Sequence, residues 1–183
     1  MKVTFDFLNK YEASSEDFDF LKNNGLVGME VSDLVEKLIE LNKLELANWV
    51  IVRALDIVFR IRYGIFAVEQ VLPIFEEKYP EDNRPRKAIE TVKSYIDNPT
   101  VTGKEATAEA ALNASRASRC TFETHPAYLA YFVASAAVYP STTADAADAS
   151  AAYAATVSKE LAIKIIRNGI NILDIKDCNK HGS

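Results

Sequence analysis

Apolar residues recur with the helical period of 3.6 along most of the chain. Between positions 32 and 41, Leu34, Leu38 and Leu41 fall on one face of a helix, with glutamates on the other. The segment 44–58 is apolar almost all round, which is typical of a helix buried on most sides. No sustained run alternates with the period of two expected of strands. The pattern predicts an all-α protein, a multi-helix bundle or a short stack of antiparallel helix pairs without a sheet.

Capping residues predict where several of these helices begin and end. Ser14 or Ser15 can cap a short first helix, because a serine oxygen accepts from the free backbone N–H groups of the first turn. Gly25 is expected to end that helix in the left-handed conformation. Thr102 and Glu105 match a capping box, in which each side chain bonds the other residue's backbone N–H. A helix beginning at position 103 or 104 is therefore predicted.

Two residues are predicted to interrupt helices. Pro73 lies inside the apolar segment 61–79, and it lacks the N–H that a helix interior needs. We therefore expect the helix there to kink or split. Gly169 falls inside a long helical pattern and predicts a bend.

The second half of the chain is rich in alanine, the best intrinsic helix former. Across this alanine-rich region, 103–173, the sequence predicts one helix over 126–138 and another from about 143 toward 173. The last residues, 174–183, are predicted to form a flexible tail. A length of 183 residues fits one domain, so a single helical domain over 1–183 is expected.

Composition and charge disfavour several classes of function. A net charge of −5 opposes binding to phosphate backbones, so no nucleic-acid partner is expected. The longest uncharged stretch, 125–144, contains two prolines and is too short in its apolar part to span a membrane. The first residues resemble neither a secretory signal nor a transit peptide, and this favours a cytoplasmic protein.

Candidate catalytic groups are few. Cys120, Glu123 and His125 lie close in sequence, but their spacing fits no common zinc motif, and a loop that caps a helix is the favoured interpretation. Asp145 and Asp148 share a helix face, where solvated residues near a helix N-terminus explain them better than acid–base chemistry. We therefore expect no catalytic residue, metal or cofactor, and a protein that is not an enzyme.

Charged and amide side chains inside apolar stretches are the more informative polar residues. Burying such groups without partners costs several kcal/mol, so they are expected to pair with one another. The predicted structural polar network comprises Asn48, Arg53, Asp56, Arg60, Glu69, Arg84, Arg86 and Glu90.

An ordered series of residues within 47–96 carries a resemblance to a known family. The series is Ala47-Asn48-Trp49, Arg53, Tyr63, Phe66-Ala67, Glu69-Gln70-Val71-Leu72, Ile74-Phe75-Glu76, Lys78-Tyr79-Pro80, Arg84 to Glu90 and Tyr95. It resembles the immunity proteins of bacterial polymorphic toxin systems, the helical group described as immunity family five-like. The resemblance implies a non-catalytic inhibitor that binds a cognate toxin protein in the cytoplasm and blocks it.

Charge pattern and resemblance together suggest how such an inhibitor would dock. Many toxins act on nucleic acid and have basic clefts, to which an acidic surface is complementary. Two acidic groups are candidates for partner binding: first Glu76, Glu77, Glu81 and Asp82, and second Glu16, Asp17 and Asp19. The alternative is a helical scaffold, assembly or regulatory protein that acts through other protein contacts.

Overall fold

The computed structural model describes residues 1–119 and 125–181, and helices make up most of that part. Apart from one isolated pairing of Lys2 with Glu30, the described residues form no strand, so the predicted all-α fold is confirmed. None of the helices described is long and apolar enough to cross a membrane. In chain order they are α1 (Phe5–Lys10), α2 (Ser15–Asn23), α3 (Val31–Glu40), α4 (Leu44–Ala54), α5 (Ile57–Lys78), α6 (Arg84–Asp97), α7 (Val101–Arg119), α8 (His125–Val138), a short 3₁₀-helix (Pro140–Thr142), α9 (Thr143–Val157) and α10 (Lys159–His181).

The chain divides into two compact units. The first comprises Met1–Leu55 together with Ile166–Ser183, and the second comprises Asp56–Ile165. A single domain over 1–183 stays a prediction.

Large aliphatic side chains form the core of the first unit. Leu8, Leu21, Leu34 and Leu38 are fully buried, and α3 packs against α4. After the end of α2, Gly25 has a φ of +65°, which confirms the predicted left-handed residue. The resulting turn leads the chain from α2 toward α3.

Small side chains bring the helices of the second unit close together. Helix α8 packs against α5, α6, α7 and α9, and α5 also packs against α9. Ala130, Ala134 and Ala147 are buried in these helices. A Cβ added to Gly64 of α5 would lie 3.1 Å from a methyl carbon of Val133, tighter than an ordinary van der Waals contact. Even an alanine at position 64 would therefore require the Val133 side chain to shift by a few tenths of an ångström.

Helix α5 continues through Pro73, so a split there is wrong, whereas a kink stays a prediction. Pro73 itself faces solvent. Leu72 and Phe75, on either side of it, are buried in one cluster with Ala117 and Ala127. Burial of both flanking side chains outweighs the loss of one backbone hydrogen bond.

The helix predicted over 44–58 is two helices. Helix α4 ends at Ala54, and Asp56 begins α5 because its carboxylate accepts a hydrogen bond from the Phe59 N–H at 3.3 Å. Uniform hydrophobicity conceals this boundary, since the residues on both sides of Asp56 are apolar. The single capping carboxylate is the signal that marks it.

The predicted capping box at Thr102 and Glu105 is wrong. Helix α7 begins at Val101, and the hydroxyl of Thr100 accepts from the Gly103 N–H at 2.9 Å. Thr102 lies in the first turn of the helix. Two threonines two residues apart offer the same cap, and the structure uses the earlier one.

The long helix predicted from about 143 toward 173 is also two helices, divided at Ser158. Helix α10 runs through Gly169 without a break, and a bend there stays a prediction. Ser158 is extended, and its hydroxyl accepts from the Leu161 N–H at 3.0 Å, so it caps α10. Helix α10 then continues beyond Leu173 to His181. Flexibility of the tail 174–183 stays a prediction, and its last two residues lie outside the described part.

Candidate partner-binding site

Residues 76–87, which we call the acidic turn, join α5 to α6. Its backbone is ordered by hydrogen bonds from the Tyr79 N–H to the Phe75 carbonyl at 2.8 Å and from the Asp82 N–H to the Tyr79 carbonyl at 3.0 Å. The first four candidate acids all lie in it, but so do as many basic side chains. The charge that the turn presents therefore depends on which acids are paired.

Glu76 is paired across the turn with Arg86. The Arg86 Nε lies 2.7 Å from one carboxylate oxygen and its Nη2 lies 2.8 Å from the other, in a bidentate arrangement. Hydrogen bonding to Glu76 raises the pKa of Arg86, and the negative charges of Glu69 and Glu90 add to that rise. Both side chains of the pair are about one-third exposed. The pair ties the end of α5 to the first turn of α6.

Asp82 is paired with Arg84 in the same bidentate way. The two guanidinium nitrogens donate to its oxygens at 2.8 and 2.6 Å, and the Arg84 backbone N–H donates at 3.2 Å. The side-chain hydrogen bonds from Arg84 hold the pKa of Asp82 below its usual range, despite its partial burial. Asp82 is therefore ionised and neutralised within the turn itself.

Glu77 and Glu81 are the acids of the turn left to face solvent. Both are exposed, and neither is paired with any residue in the described part of the chain. Glu81 borders a wide, shallow depression of about 580 Å³. Residues lining it are Lys78, Tyr79, Pro80, Glu81, Asp82, Asn83 and Arg84. The turn thus combines a concave surface with two unneutralised carboxylates.

The second acidic group, which we call the N-terminal acidic cluster, lies on α2 in the first unit. Glu16 and Asp19 are exposed, and neither is paired with a residue that the structure describes. Asp17 accepts a hydrogen bond from the Ser14 hydroxyl at 2.7 Å, while the Ser14 oxygen accepts from the Asp17 N–H at 3.1 Å. Asp17 therefore takes part in capping α2, and none of the arginine side chains that the structure describes binds this cluster.

The predicted polar network is divided between the two units. In the first unit, Asn48 is buried and the Arg53 guanidinium lies 5.1 Å from the centre of the Trp49 ring. In the second unit, Asp56 caps α5. The negative charges of Glu69 and Glu90 act on Arg86. Arg84 forms an ion pair with Asp82. Arg60, the remaining member, donates its backbone N–H to the Asp56 carbonyl at 2.8 Å. One continuous network stays a prediction.

Ion pairs between α5 and α6 are the feature that the sequence interpretation missed. Arg62 pairs with Asp97 at 2.7 Å, Glu69 pairs with Lys93, and Glu76 pairs with Arg86. The α5 members are seven residues apart, which is two helical turns and places them along one face. That spacing of charges was visible in the sequence, but their partners follow only from the antiparallel path of α6.

Few of the described residues are candidates for metal binding or acid–base chemistry. No three of their His, Cys, Asp or Glu side chains are grouped to hold a metal ion. Cys120, Glu123 and the side chain of His125 lie outside the described residues. Asp145 is exposed on α9, whereas Asp148 is half-buried. Burial raises the pKa of the Tyr63 hydroxyl, and the charge of Asp148 raises it further, so Tyr63 stays protonated. Among these residues, the acidic turn and the N-terminal acidic cluster are candidates for contact with a partner.

Fold and site together describe an all-helical protein with a charged turn as a candidate contact surface. The family described as "Imm-5 like putative immunity protein" matches residues 60–167, more than half of the chain, and the chain belongs to this family. The match includes the acidic turn and most of the alanine-rich region, while the first part of the resembling series, 47–53, precedes it. No curated protein and no solved structure matches the chain.

Proposed function

We propose that this protein is a non-catalytic immunity protein that binds a cognate bacterial toxin in the cytoplasm and neutralises it. The observation that carries the proposal is the family match over residues 60–167, since immunity proteins act by binding a protein partner. The sparse chemistry of the described residues is compatible with inhibition by binding.

The acidic turn is the surface we propose for the toxin. It lies inside the matched region, and Glu77 and Glu81 extend from it without partners among the described residues. A basic cleft on a nucleic-acid-degrading toxin would be attracted to these carboxylates over several ångströms, which speeds encounter. The N-terminal acidic cluster is the weaker candidate, because it lies outside the matched region.

Growth of bacteria that produce the toxin tests the proposed function directly. A toxin gene found next to this gene is expressed from an inducible promoter, with or without this protein. We expect growth to stop with the toxin alone and to recover when this protein is present.

The matched variants for this experiment reverse two charges each. Glu77→Lys with Glu81→Lys changes the acidic turn, and Glu105→Lys with Glu109→Lys makes the same change of charge on exposed positions of α7. Only the first variant should lose protection. If the parent protein gives no protection against any neighbouring toxin, the immunity proposal is wrong.

A second candidate function, a helical assembly protein, is favoured by an exposed aromatic stripe on and just after α8. Tyr128 is 44% exposed and Tyr139 is 61% exposed, with Tyr131 and Phe132 half-buried between them. The ring centres of Tyr128 and Phe132 are 5.1 Å apart. Exposed aromatic side chains are enriched at protein interfaces.

Light scattering over a range of concentrations separates the two candidates. An assembly protein should form oligomers without any partner. The double variant Tyr128→Gln with Tyr139→Gln should then be monomeric. An immunity protein needs no such self-association. A parent protein whose mass stays that of one chain at every concentration would eliminate self-assembly through this stripe.

A further inference from the structure

The four acids of the acidic turn are divided by their partners into two kinds. Glu76 and Asp82 are bound by arginines, whereas no residue in the part of the chain that the structure describes binds Glu77 or Glu81. We propose that the Glu76–Arg86 and Asp82–Arg84 pairs are positioning pairs, which hold the turn in the shape that presents Glu77 and Glu81 to the partner without touching the partner themselves. This inference rests on the proposed function.

The geometry of the pairs supports a positioning role. Arg86 and Glu76 are ten residues apart and belong to different helices, so their bidentate contact closes the whole turn. Arg84 binds Asp82 through its side chain and its backbone N–H, which fixes the entry into α6. Both oxygens of each carboxylate already accept a hydrogen bond, so little of their charge is left for a partner.

The order of paired and unpaired acids also fits this role. Each unpaired glutamate is the neighbour of a paired acid: Glu77 follows Glu76, and Glu81 precedes Asp82. Holding the neighbouring residue restricts the backbone from which the free carboxylate extends. A surface ordered before binding loses less conformational entropy when the partner arrives, which favours affinity.

Loss of Arg86 should disturb the shape of the acidic turn more than loss of its hydrogen bonds to Glu76 alone would. Its guanidinium also faces the charges of Glu69 and Glu90. Without it, Glu76 is left beside like charges in a partly buried place, and repulsion would open the turn. Removing Glu76 together with Arg86 avoids that repulsion and leaves the net charge unchanged.

Hydrogen exchange on the free protein tests whether the pairs order the turn. The readouts are the amides of Asp82 and Lys87, which donate to the carbonyls of Tyr79 and Asn83 at 3.0 Å each. Arg86→Met should speed their exchange on the order of tenfold, since the turn opens more often. The double variant Glu76→Met with Arg86→Met should return exchange close to the parent rate.

The control is the ion pair at the other end of the same two helices. Arg62→Met removes the contact with Asp97 and should leave the turn amides unchanged. Both side chains of this control pair are more exposed than those of the Glu76–Arg86 pair. Equal exchange in the parent and in Arg86→Met would overturn the ordering role. So would an equal acceleration by Arg62→Met, because the effect would then be general loss of stability.

Binding to the purified toxin encoded next to this gene tests whether the pairs touch the partner. Positioning predicts that Arg86→Met weakens binding and that the double variant restores the affinity to within about twofold of the parent, inside the scatter of near-neutral interface contacts. If Glu76 or Arg86 contacts the partner, the double variant will bind no better than Arg86→Met. That result would overturn the inference even where exchange has recovered.

Failure of the inference and failure of the proposed function give different results. If the parent binds the toxin but the turn amides do not respond to Arg86→Met, the immunity function stands and the positioning role is wrong. If the parent binds no neighbouring toxin, the proposed function and the partner-presenting role both fall. Exchange alone then still decides whether the pairs order the turn.

Discussion

The acidic turn and the N-terminal acidic cluster look alike in sequence but differ in what holds them. In the acidic turn, two arginines neutralise Glu76 and Asp82 and leave two glutamates exposed. In the N-terminal acidic cluster, Asp17 is bound by the neutral hydroxyl of Ser14, so the charge of the cluster is not neutralised by this contact. Each surface therefore presents two exposed acids that no described residue pairs.

The number of carboxylates in a segment is therefore not a measure of the charge that the segment presents to a partner. Ion pairing reduces the charge of the acidic turn but makes its shape more definite. The N-terminal acidic cluster keeps more of its charge on a helix of nine residues. If shape and charge both matter for binding, the turn should dominate although it is the less acidic of the two.

The largest expected effect is on association at the acidic turn. Glu77→Lys with Glu81→Lys should slow association with the toxin by about tenfold or more at low salt, because long-range attraction becomes repulsion. The effect should shrink as salt approaches about 1 M, where the screening length is only about 3 Å. Stopped-flow kinetics at several salt concentrations measures both trends.

Glu105→Lys with Glu109→Lys provides the matched control for that experiment. It changes the net charge equally from exposed positions on α7. An equal slowing by the control would mean that overall charge, and not the acidic turn, governs encounter. Rates unchanged by the turn variant at every salt concentration would remove the acidic turn as the docking surface.

The next effect is on stability within the acidic turn. Arg86→Met should lower the free energy of unfolding by about 1 kcal/mol, at the upper end for a partly exposed pair, because the contact is bidentate and near other carboxylates. Urea unfolding followed by circular dichroism measures the change. A variant as stable as the parent would show that the pair adds no net stability.

A smaller effect with a defined pH dependence is expected at Asp82. Its folded pKa lies below that of an unfolded aspartate, about 3.9, so its ionised form stabilises the folded state above about pH 4. This stabilisation is lost as the pH falls through the folded pKa. Asp82→Asn should therefore be less stable than the parent at pH 7, by under about 1 kcal/mol, and the two should converge in acid.

Unfolding at pH 7, 5 and 3 checks this convergence. A constant difference between the parent and Asp82→Asn at all three values would contradict the role of the carboxylate charge and would indicate that the amide simply packs less well.

The smallest effect is expected at the N-terminal acidic cluster. Glu16→Lys with Asp19→Lys should change the association rate by less than about threefold at low salt, because the charges act from outside the docking surface. Asp17 is left in place to preserve its contact with Ser14. Slowing larger than that of the acidic-turn variant would reverse the order of the two surfaces.

The helical class was predictable from the sequence, whereas helix boundaries within uniform stretches were not. Apolar periodicity and the left-handed Gly25 are local signals, and both predictions are confirmed. The break at Asp56 and the continuity at Pro73 depend on which side chains become buried together, and tertiary packing decides that. The division at Ser158 was not predicted, since the sequence interpretation extended one helix from about 143 toward 173.

For the candidate site, the sequence identified the acids but not their partners. The sequence interpretation assigned Arg84 and Arg86 to the structural polar network and the acids to the contact surface. In the structure, these arginines form ion pairs with two of the acids. Sequence distance gives no measure of such pairing across a turn between helices. The pairing follows from how α5 ends and α6 begins, a property of the fold.

Titration of the purified toxin with this protein tests the central claim most directly. Non-catalytic neutralisation predicts that toxin activity falls linearly with added protein and ends at equimolar amounts, with both proteins recovered at unchanged mass. Undiminished toxin activity in excess of this protein would contradict the immunity function. Complete inactivation of the toxin by far less than one equivalent of this protein would contradict inhibition by binding. Each molecule of the protein would then have to inactivate many toxin molecules, as an enzyme does.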